Sequence, residues 1–280
     1  MCALLFLPLL PAQAAAVRYG CQARTFGAGV YKDEATFLSV IRQIGEVGFE
    51  GIETNWKNLE RYFDRPAEFG KILSEAHLQL IGAHIGGSPW GAAPAGKLLA
   101  DVERTAGFVK AVGGAYVVFS GSYPAAWPPD AWPKMAEFIN EAGKACAKRG
   151  VRLLYHNHWV ECEGEGMEQL CRLTDPELVG FAFDTGHAVR AGKDPAAVVA
   201  LLGKRLGVIH FADASKDGPT AAKRPLLGEG RLQIPGAVQA LGQAGFDGWI
   251  VLEEETSGDG RGAAERGLAI FRKAFEATMR

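Results

Sequence analysis

Imidazoles and carboxylates at six positions carry most of the chemistry that this chain could perform: His84, His156, His158, Asp184, His210 and Glu253. Each stands at or near the end of a short β-branched or aromatic run. Counted from the apolar residues of its run, each points away from the face that must meet helices. Six such groups turned toward one interior are costly to bury unless something neutralises them. A divalent cation does so, and a mixed imidazole and carboxylate set suits Mn²⁺, Co²⁺, Fe²⁺ or Zn²⁺. Glu53, at the end of another run, could bind a substrate hydroxyl or pair with a neighbour. Trp90, Trp127 and Trp159 fall in loops after such runs, where an indole face could meet the C–H face of a sugar ring or pack under a lid. His77 lies on an apparent helix and is expected at the surface. Five cysteines show no CxxC spacing, which leaves no redox or zinc-ribbon motif.

The elements that must position these groups repeat. The runs are Arg18–Thr25, Gly51–Trp56, Leu80–Gly86, Tyr116–Ser120, Arg152–Trp159, Gly180–His187, Gly207–Asp213 and Trp249–Glu255. Their starts lie roughly 30 to 40 residues apart, the length of a strand plus a crossover helix. Between them are helical patterns with end signals. Asp33 precedes Glu34–Val47, in which Phe37, Val40, Ile41 and Ile44 recur at helical spacing, and Gly48 follows. Asp130 opens a segment ending at Gly150, and Asp194-Pro195 opens Ala196–Leu206. Eight strand–helix units predict a (β/α)₈ TIM barrel, an α/β fold whose C-terminal strand ends carry the chemistry. An open doubly wound sheet would show a Gly-rich phosphate loop after its first strand, and none is present.

Parity then assigns faces. Ile81, Ala83 and Ile85 are predicted outward with His84 inward; Leu153 and Tyr155 outward with His156 and His158 inward. Phe181 and Phe183 outward put Asp184 inward, Ile209 and Phe211 do the same for His210, and Ile250 and Leu252 for Glu253. No linker or charge block divides residues 17–280, so one domain is expected. A net charge of −2 over 280 residues with 48% apolar content lacks the basic face of a nucleic-acid binder. Residues 1–16 (MCALLFLPLLPAQAAA) combine an apolar run with a small-x-small site, without a basic start. They read as an export signal or an N-terminal extension, too short to span a membrane as a helix. The protein would accordingly be periplasmic or exported, or else cytoplasmic.

On these residues the sequence resembles the xylose-isomerase-like barrel superfamily, in its sugar phosphate isomerase/epimerase group of inosose dehydratases, ketose 3-epimerases and hydroxypyruvate isomerases. The phrases that carry the resemblance are Tyr155-His156-Asn157-His158, Phe183-Asp184-Thr185-Gly186-His187 and His210-Phe211-Ala212-Asp213. Leu227-Gly228-Glu229-Gly230 and Gly245-Phe246-Asp247-Gly248-Trp249-Ile250-Val251-Leu252-Glu253 follow in order. The resemblance implies a divalent metal, Mn²⁺ first with Co²⁺, Fe²⁺, Mg²⁺ or Zn²⁺ as alternatives. Its ligands would be Asp184, His210 and Glu253, with His156 in the place of the family's strand-five glutamate. It further implies proton abstraction beside a carbonyl, with Glu253 as base and His187 and Lys216 acting on the oxygen that changes charge. His84, Glu53, His158, Glu161 and Trp90 would bind substrate, Glu161 as a second carboxylate from the loop. The products would be those of an isomerase, epimerase or dehydratase acting on a sugar or inositol, with a homo-oligomer as a further expectation.

The basic residues of loops seven and eight, Lys216, Lys223 and Arg224, make no evident phosphate cup, so a neutral substrate is expected over a phosphate ester. Two rivals stand beside this reading. An endonuclease-IV-like phosphodiesterase needs more metal ligands and a basic surface. A metal-free sugar-binding barrel is suggested by the missing strand-five glutamate.

Overall fold

The computed structural model describes residues 17–90, 95–122, 130–217, 224–255 and 258–278. The segment read as an export signal or extension, and Trp127 and Lys223, lie outside them. Eight parallel strands close in sequence order into one barrel: β1 (Arg18–Gln22), β2 (Gly51–Asn55), β3 (Gln79–Gly87), β4 (Tyr116–Gly121), β5 (Arg152–His156), β6 (Val179–Asp184), β7 (Leu206–Phe211) and β8 (Trp249–Leu252), with β8 pairing back to β1. All eight predicted strands are present. Several predicted ends ran too far, because β1, β5, β6, β7 and β8 stop where their first loop polar groups leave the ladder.

The main helices are α1 (Glu34–Val47), α2 (Pro66–Glu75), α3 (Ala95–Ala111), α4 (Ala131–Lys148), α5 (Gly166–Leu173), α6 (Pro195–Leu202), α7 (Ile234–Gln243) and α8 (Gly260–Thr278). Their end signals act as the sequence predicts, with exceptions. Asp33 Oδ1 accepts from the Thr36 amide at 2.7 Å, and Gly48 leaves α1 with φ +98°. Asp194 Oδ1 accepts from the Ala196 amide at 3.0 Å, but α6 ends at Leu202 rather than Leu206. Asp130 caps no amide with its side chain and pairs with Lys134 at 3.0 Å instead. His77 lies just past α2 with φ +57°, in the turn into β3 rather than on the helix. No described helix is long and apolar enough to cross a membrane.

Two apolar layers follow from strand parity. Phe181, Phe183, Ile209, Phe211, Ile250 and Leu252 pack outward against helices, while Ile81, Val118, Leu154, Ala182, Val208, Trp249 and Val251 fill the barrel interior. Ile81 corrects the predicted parity. Leu80 and Gly82 are successive partners of Ile52 and Glu53, so Ile81 is the extra residue of a bulge and turns inward. Beyond the bulge Ala83 and Ile85 face out, and His84 faces in as expected. Glycines make room for the large interior side chains. A Cβ on Gly51 would stand 2.7 Å from both Trp249 and Ile81, and one on Gly20 would collide with Ile81 Cδ1. These residues plug the lower barrel and leave its C-terminal mouth to polar groups. Gly51→Ala is therefore expected to destabilise the protein by about 1–3 kcal/mol, the usual cost of overpacking. Urea denaturation checks this, and an unchanged midpoint would show that the interior has slack.

Candidate metal centre and substrate cavity

The mouth is assembled from inward positions at the top of the strands. Glu53, Asp184 and His210 have no exposed surface, and His156, Glu253 and His187 are also buried. His84 and Ser120 complete the ring, with the His84 Nε2 3.0 Å from Ser120 Oγ. Above them a cavity of about 620 Å³ opens to solvent, its polar lining including His158, Trp159, Arg224 and Glu255.

Local bonds explain why these side chains stand where they do. Asp184 ends β6 and caps the short helix Thr185–Arg190 by accepting from the His187 amide at 2.7 Å. The Asp-x-x-His spacing thus swings His187 over the mouth. Thr185 ties the turn to β7 by donating to the Ala212 carbonyl at 2.8 Å and accepting from its amide at 3.1 Å. Asn157 closes the other side, accepting from the Asp184 amide at 2.9 Å and donating to its carbonyl at 3.2 Å. After β7, the buried Asp213 accepts four amides, from Ala214, Gly228, Gly230 and Leu232, at 2.8–3.0 Å. A Cβ on Gly230 would collide with Asp213 Oδ1, which is why glycine occurs there. This anchor holds the loop that carries Arg224.

Charge in the mouth is organised around Glu53 and His210. His210 Nε2 lies 3.0 Å from Glu53 Oε2, and His84 Nδ1 lies 3.4 Å from Glu53 Oε1. Burial pushes the Glu53 carboxyl up, but the His210 charge and hydrogen bond, with His84, outweigh it and hold Glu53 at about 2. Burial opposes charge on His210 as well; Glu53 and Glu253 overcome it and raise His210 to about 9. The other face of His210, its Nδ1, lies 2.9 Å from His156 Nδ1 and 3.1 Å from Glu253 Oε2. Burial, followed by repulsion from neighbouring histidines, keeps His156 well below its ordinary value and therefore neutral. Burial raises Asp184, and burial together with Asp184 raises Glu253 to about 7, although His210 opposes the second shift.

This set fits a cation. One ligand-type atom from each of His156, Asp184, His210 and Glu253 lies within 4.8 Å of the others. Asp184 Oδ2 is buried without a hydrogen-bond partner among the described residues, and Glu253 Oε2 is buried with the His210 ring 3.1 Å away. Two imidazole nitrogens and two carboxylate oxygens thus converge on one point. Glu53 stands behind His210, in the position of an outer carboxylate that orients a ligating ring.

Of the remaining predicted residues, His158 and His187 join the cavity and His84 lines it. Three do not. Glu161 is fully buried, and its carboxylate accepts from the Tyr155 hydroxyl at 2.6 Å and the His158 amide at 2.9 Å. It caps the turn Trp159–Cys162 and does not line the cavity. Lys216 is exposed and outside the cavity lining. Arg224 is the basic residue from this loop that lines the cavity, its guanidinium 3.2 Å from His187 Nε2. Trp90 packs against the core, and Trp159 lines the cavity under the guanidinium of Arg190, 3.8 Å from the ring centroid. Gln22, Arg24, Tyr31, Asn55, Lys57 and Ser120 also line it and were missed. Parity could have found Gln22, Asn55 and Ser120, each two residues beyond an inward Gly20, Glu53 or Val118; the loop residues Arg24, Tyr31 and Lys57 carry no such signal.

Removing one partner of the Glu53–His210 pair strands a buried charge. Glu53→Ala is expected to destabilise the metal-free protein by about 3–5 kcal/mol. Glu53→Gln, which keeps a hydrogen-bonding group, is expected to cost less. Chemical denaturation of both variants checks the order, and equal stability of all three proteins would contradict the pairing.

Comparison with known proteins extends the geometry. The chain is 28% identical over 167 residues to the inosose dehydratase of Lacticaseibacillus casei, covering 54% of this chain and 55% of that one. It is 30% identical over 141 residues to inosose dehydratase 2 of Bacillus cereus, covering 44% and 47%. These alignments span about half the length of the relatives. Among solved structures, L-ribulose 3-epimerase superposes with a TM-score of 0.77 at 16% identity over 95% of this chain and 96% of that one. The D-allulose 3-epimerase of Methylomonas sp., in complex with D-allulose, gives 0.74 at 19% identity over 92% and 97%. The zinc-bound IOLI protein gives 0.77 at 12% identity over 94% and 99%. A family model for xylose isomerase-like TIM barrels matches residues 41–274, and with the closed barrel observed here the chain belongs to that family.

Proposed function

We propose that this protein is a divalent-metal-dependent enzyme that abstracts a proton beside the carbonyl of a keto-sugar or keto-inositol, with dehydration as its overall reaction. The observation that carries the reading is the pair of buried carboxylate oxygens, Asp184 Oδ2 without a hydrogen-bond partner and Glu253 Oε2 against the His210 ring, turned toward His156 and His210 beneath an open cavity. His156, Asp184, His210 and Glu253 would hold the metal, with Mn²⁺ proposed for a set of imidazoles and carboxylates without thiolate. Such a cation supplies Lewis-acid polarisation of the substrate carbonyl.

Everything else falls to the chain's own residues. Glu253, ionised when the metal is bound, takes the proton from the carbon beside the carbonyl as general base. Burial and Arg224 hold His187 neutral, so it would orient the departing β-hydroxyl by hydrogen bonding, while the proton that Glu253 takes from carbon leaves with that hydroxyl as water. Arg224 faces the same ring and adds positive charge where oxygen gains negative charge. His84, Ser120 and His158 offer donors and acceptors for hydroxyl groups, and Trp159 offers an apolar ring face.

Dehydration is favoured over epimerisation by a specific observation. Epimerisation by two opposed carboxylates needs a second one at the reacting carbon. Glu161 is committed to its cap, and Glu255, the other carboxylate lining the cavity, stands beside Arg24 and Arg224. The names of the relatives, matched over about half their length, support the same choice.

Turnover of keto-inositols and ketoses by the Mn²⁺-loaded protein in D₂O, followed by NMR, tests the proposal. Loss of water is expected with wild type. Glu253→Gln is expected to lower kcat by about 10²–10⁴-fold, the range of general-base contributions. Asp184→Asn is expected to release the metal on dialysis. Cleavage of abasic DNA with no reaction on any keto-sugar would establish the phosphodiesterase rival.

A further inference from the structure

We propose that the substrate carries a carboxylate at the end remote from its carbonyl, so that the site takes a sugar acid; this rests on the reading of the cavity as a keto-sugar site. The expectation of a neutral substrate came from loops seven and eight alone. The fold brings cations to the cavity from three loops: Arg24 after β1, Lys57 after β2 and Arg224 after β7. Lys57 already meets Glu60 at 3.3 Å. The two arginines share one acidic partner. Glu255 Oε1 lies 3.8 Å from Arg24 Nε, and Glu255 Oε2 lies 3.6 Å from Arg224 Nε.

Both contacts are longer than hydrogen bonds. A carboxylate therefore stands between two guanidinium groups without closing on either, at side chains about one third exposed. That arrangement holds one negative charge against two positive ones at the cavity rim. A neutral polyol would gain little from it. A ligand carboxylate could displace Glu255 toward solvent and take charge-assisted, bidentate hydrogen bonds, the geometry for which arginine is suited. The inner histidines and the metal ligands would then hold the keto end, and the rim the acid end. Glu255 itself shows that the gap accepts a group of carboxylate size.

Three ligands that differ at one carbon separate the outcomes: D-fructose, D-fructuronate and D-fructose 6-phosphate, titrated calorimetrically into the Mn²⁺-loaded full chain at low salt. Fructuronate is expected to bind at least tenfold more tightly than fructose. Arg24→Gln, which touches neither the proposed metal ligands nor His187, should remove most of that advantage. Glu255→Gln, which removes the competing carboxylate, should enlarge it several-fold. A structural ion pair would give no gain in that last variant. Fructose and fructuronate binding within twofold of each other would overturn the carboxylate proposal and leave the keto-sugar reading standing. A preference for the phosphate alone would also overturn it. Binding of none of the three would count against both readings.

Discussion

Glu53 and His210 stand 3.0 Å apart with neither side chain reaching water, and the protonation of the barrel mouth is set from there. A carboxylate so buried survives as an anion because a cation faces it, and the imidazolium survives for the same reason. That charge places one ring nitrogen of His210 on Glu53 and turns the other toward His156 and Glu253. The proton held among these groups lies where a divalent cation can replace it. Burial raises both Asp184 and Glu253, Asp184 adds to the Glu253 shift, and a cation there would favour the ionised form of each. A metal held there would discharge an electrostatic cost that the barrel imposes by burying these residues together.

The rest of the molecule can be understood as support for that ring. Trp249 and Ile81 fill the lower barrel, with glycines opposite them, and so set the floor of the mouth. Asp184 acts twice, as inward carboxylate and as cap for the turn that carries His187. Asn157 and Thr185 fix the backbone on either side of it, and Asp213 gathers four amides to hold the loop of Arg224. None of these supporting residues needs to touch a substrate. Each limits where one that does can be.

Much of this was legible in the sequence because a strand's two-residue period transfers directly into inward and outward faces. Asp184, His210, Glu253 and His156 were placed correctly by the apolar residues beside them. The rule failed at Ile81, where a bulge inserts one residue that no periodicity announces. It also offered nothing beyond the strand ends. Glu161 has the composition of a substrate ligand, and only the path of the chain after β5 shows its carboxylate bonded to Tyr155 and an amide. Lys216 and Arg224 could not be ranked from spacing, because the fold of their loop depends on the amides gathered by Asp213. Arg24 carries no signal because its partner Glu255 comes from a distant loop, and Lys57 reads only as a local pair with Glu60.

X-ray absorption on protein reconstituted with one equivalent of Co²⁺ addresses the centre most directly, since it reads the ligands without requiring the substrate. Two imidazoles with oxygen ligands are expected in wild type, falling to one imidazole in His210→Ala. A bound ion surrounded by water oxygens alone, or a spectrum unaltered by that substitution, would contradict the centre built on His156, Asp184, His210 and Glu253.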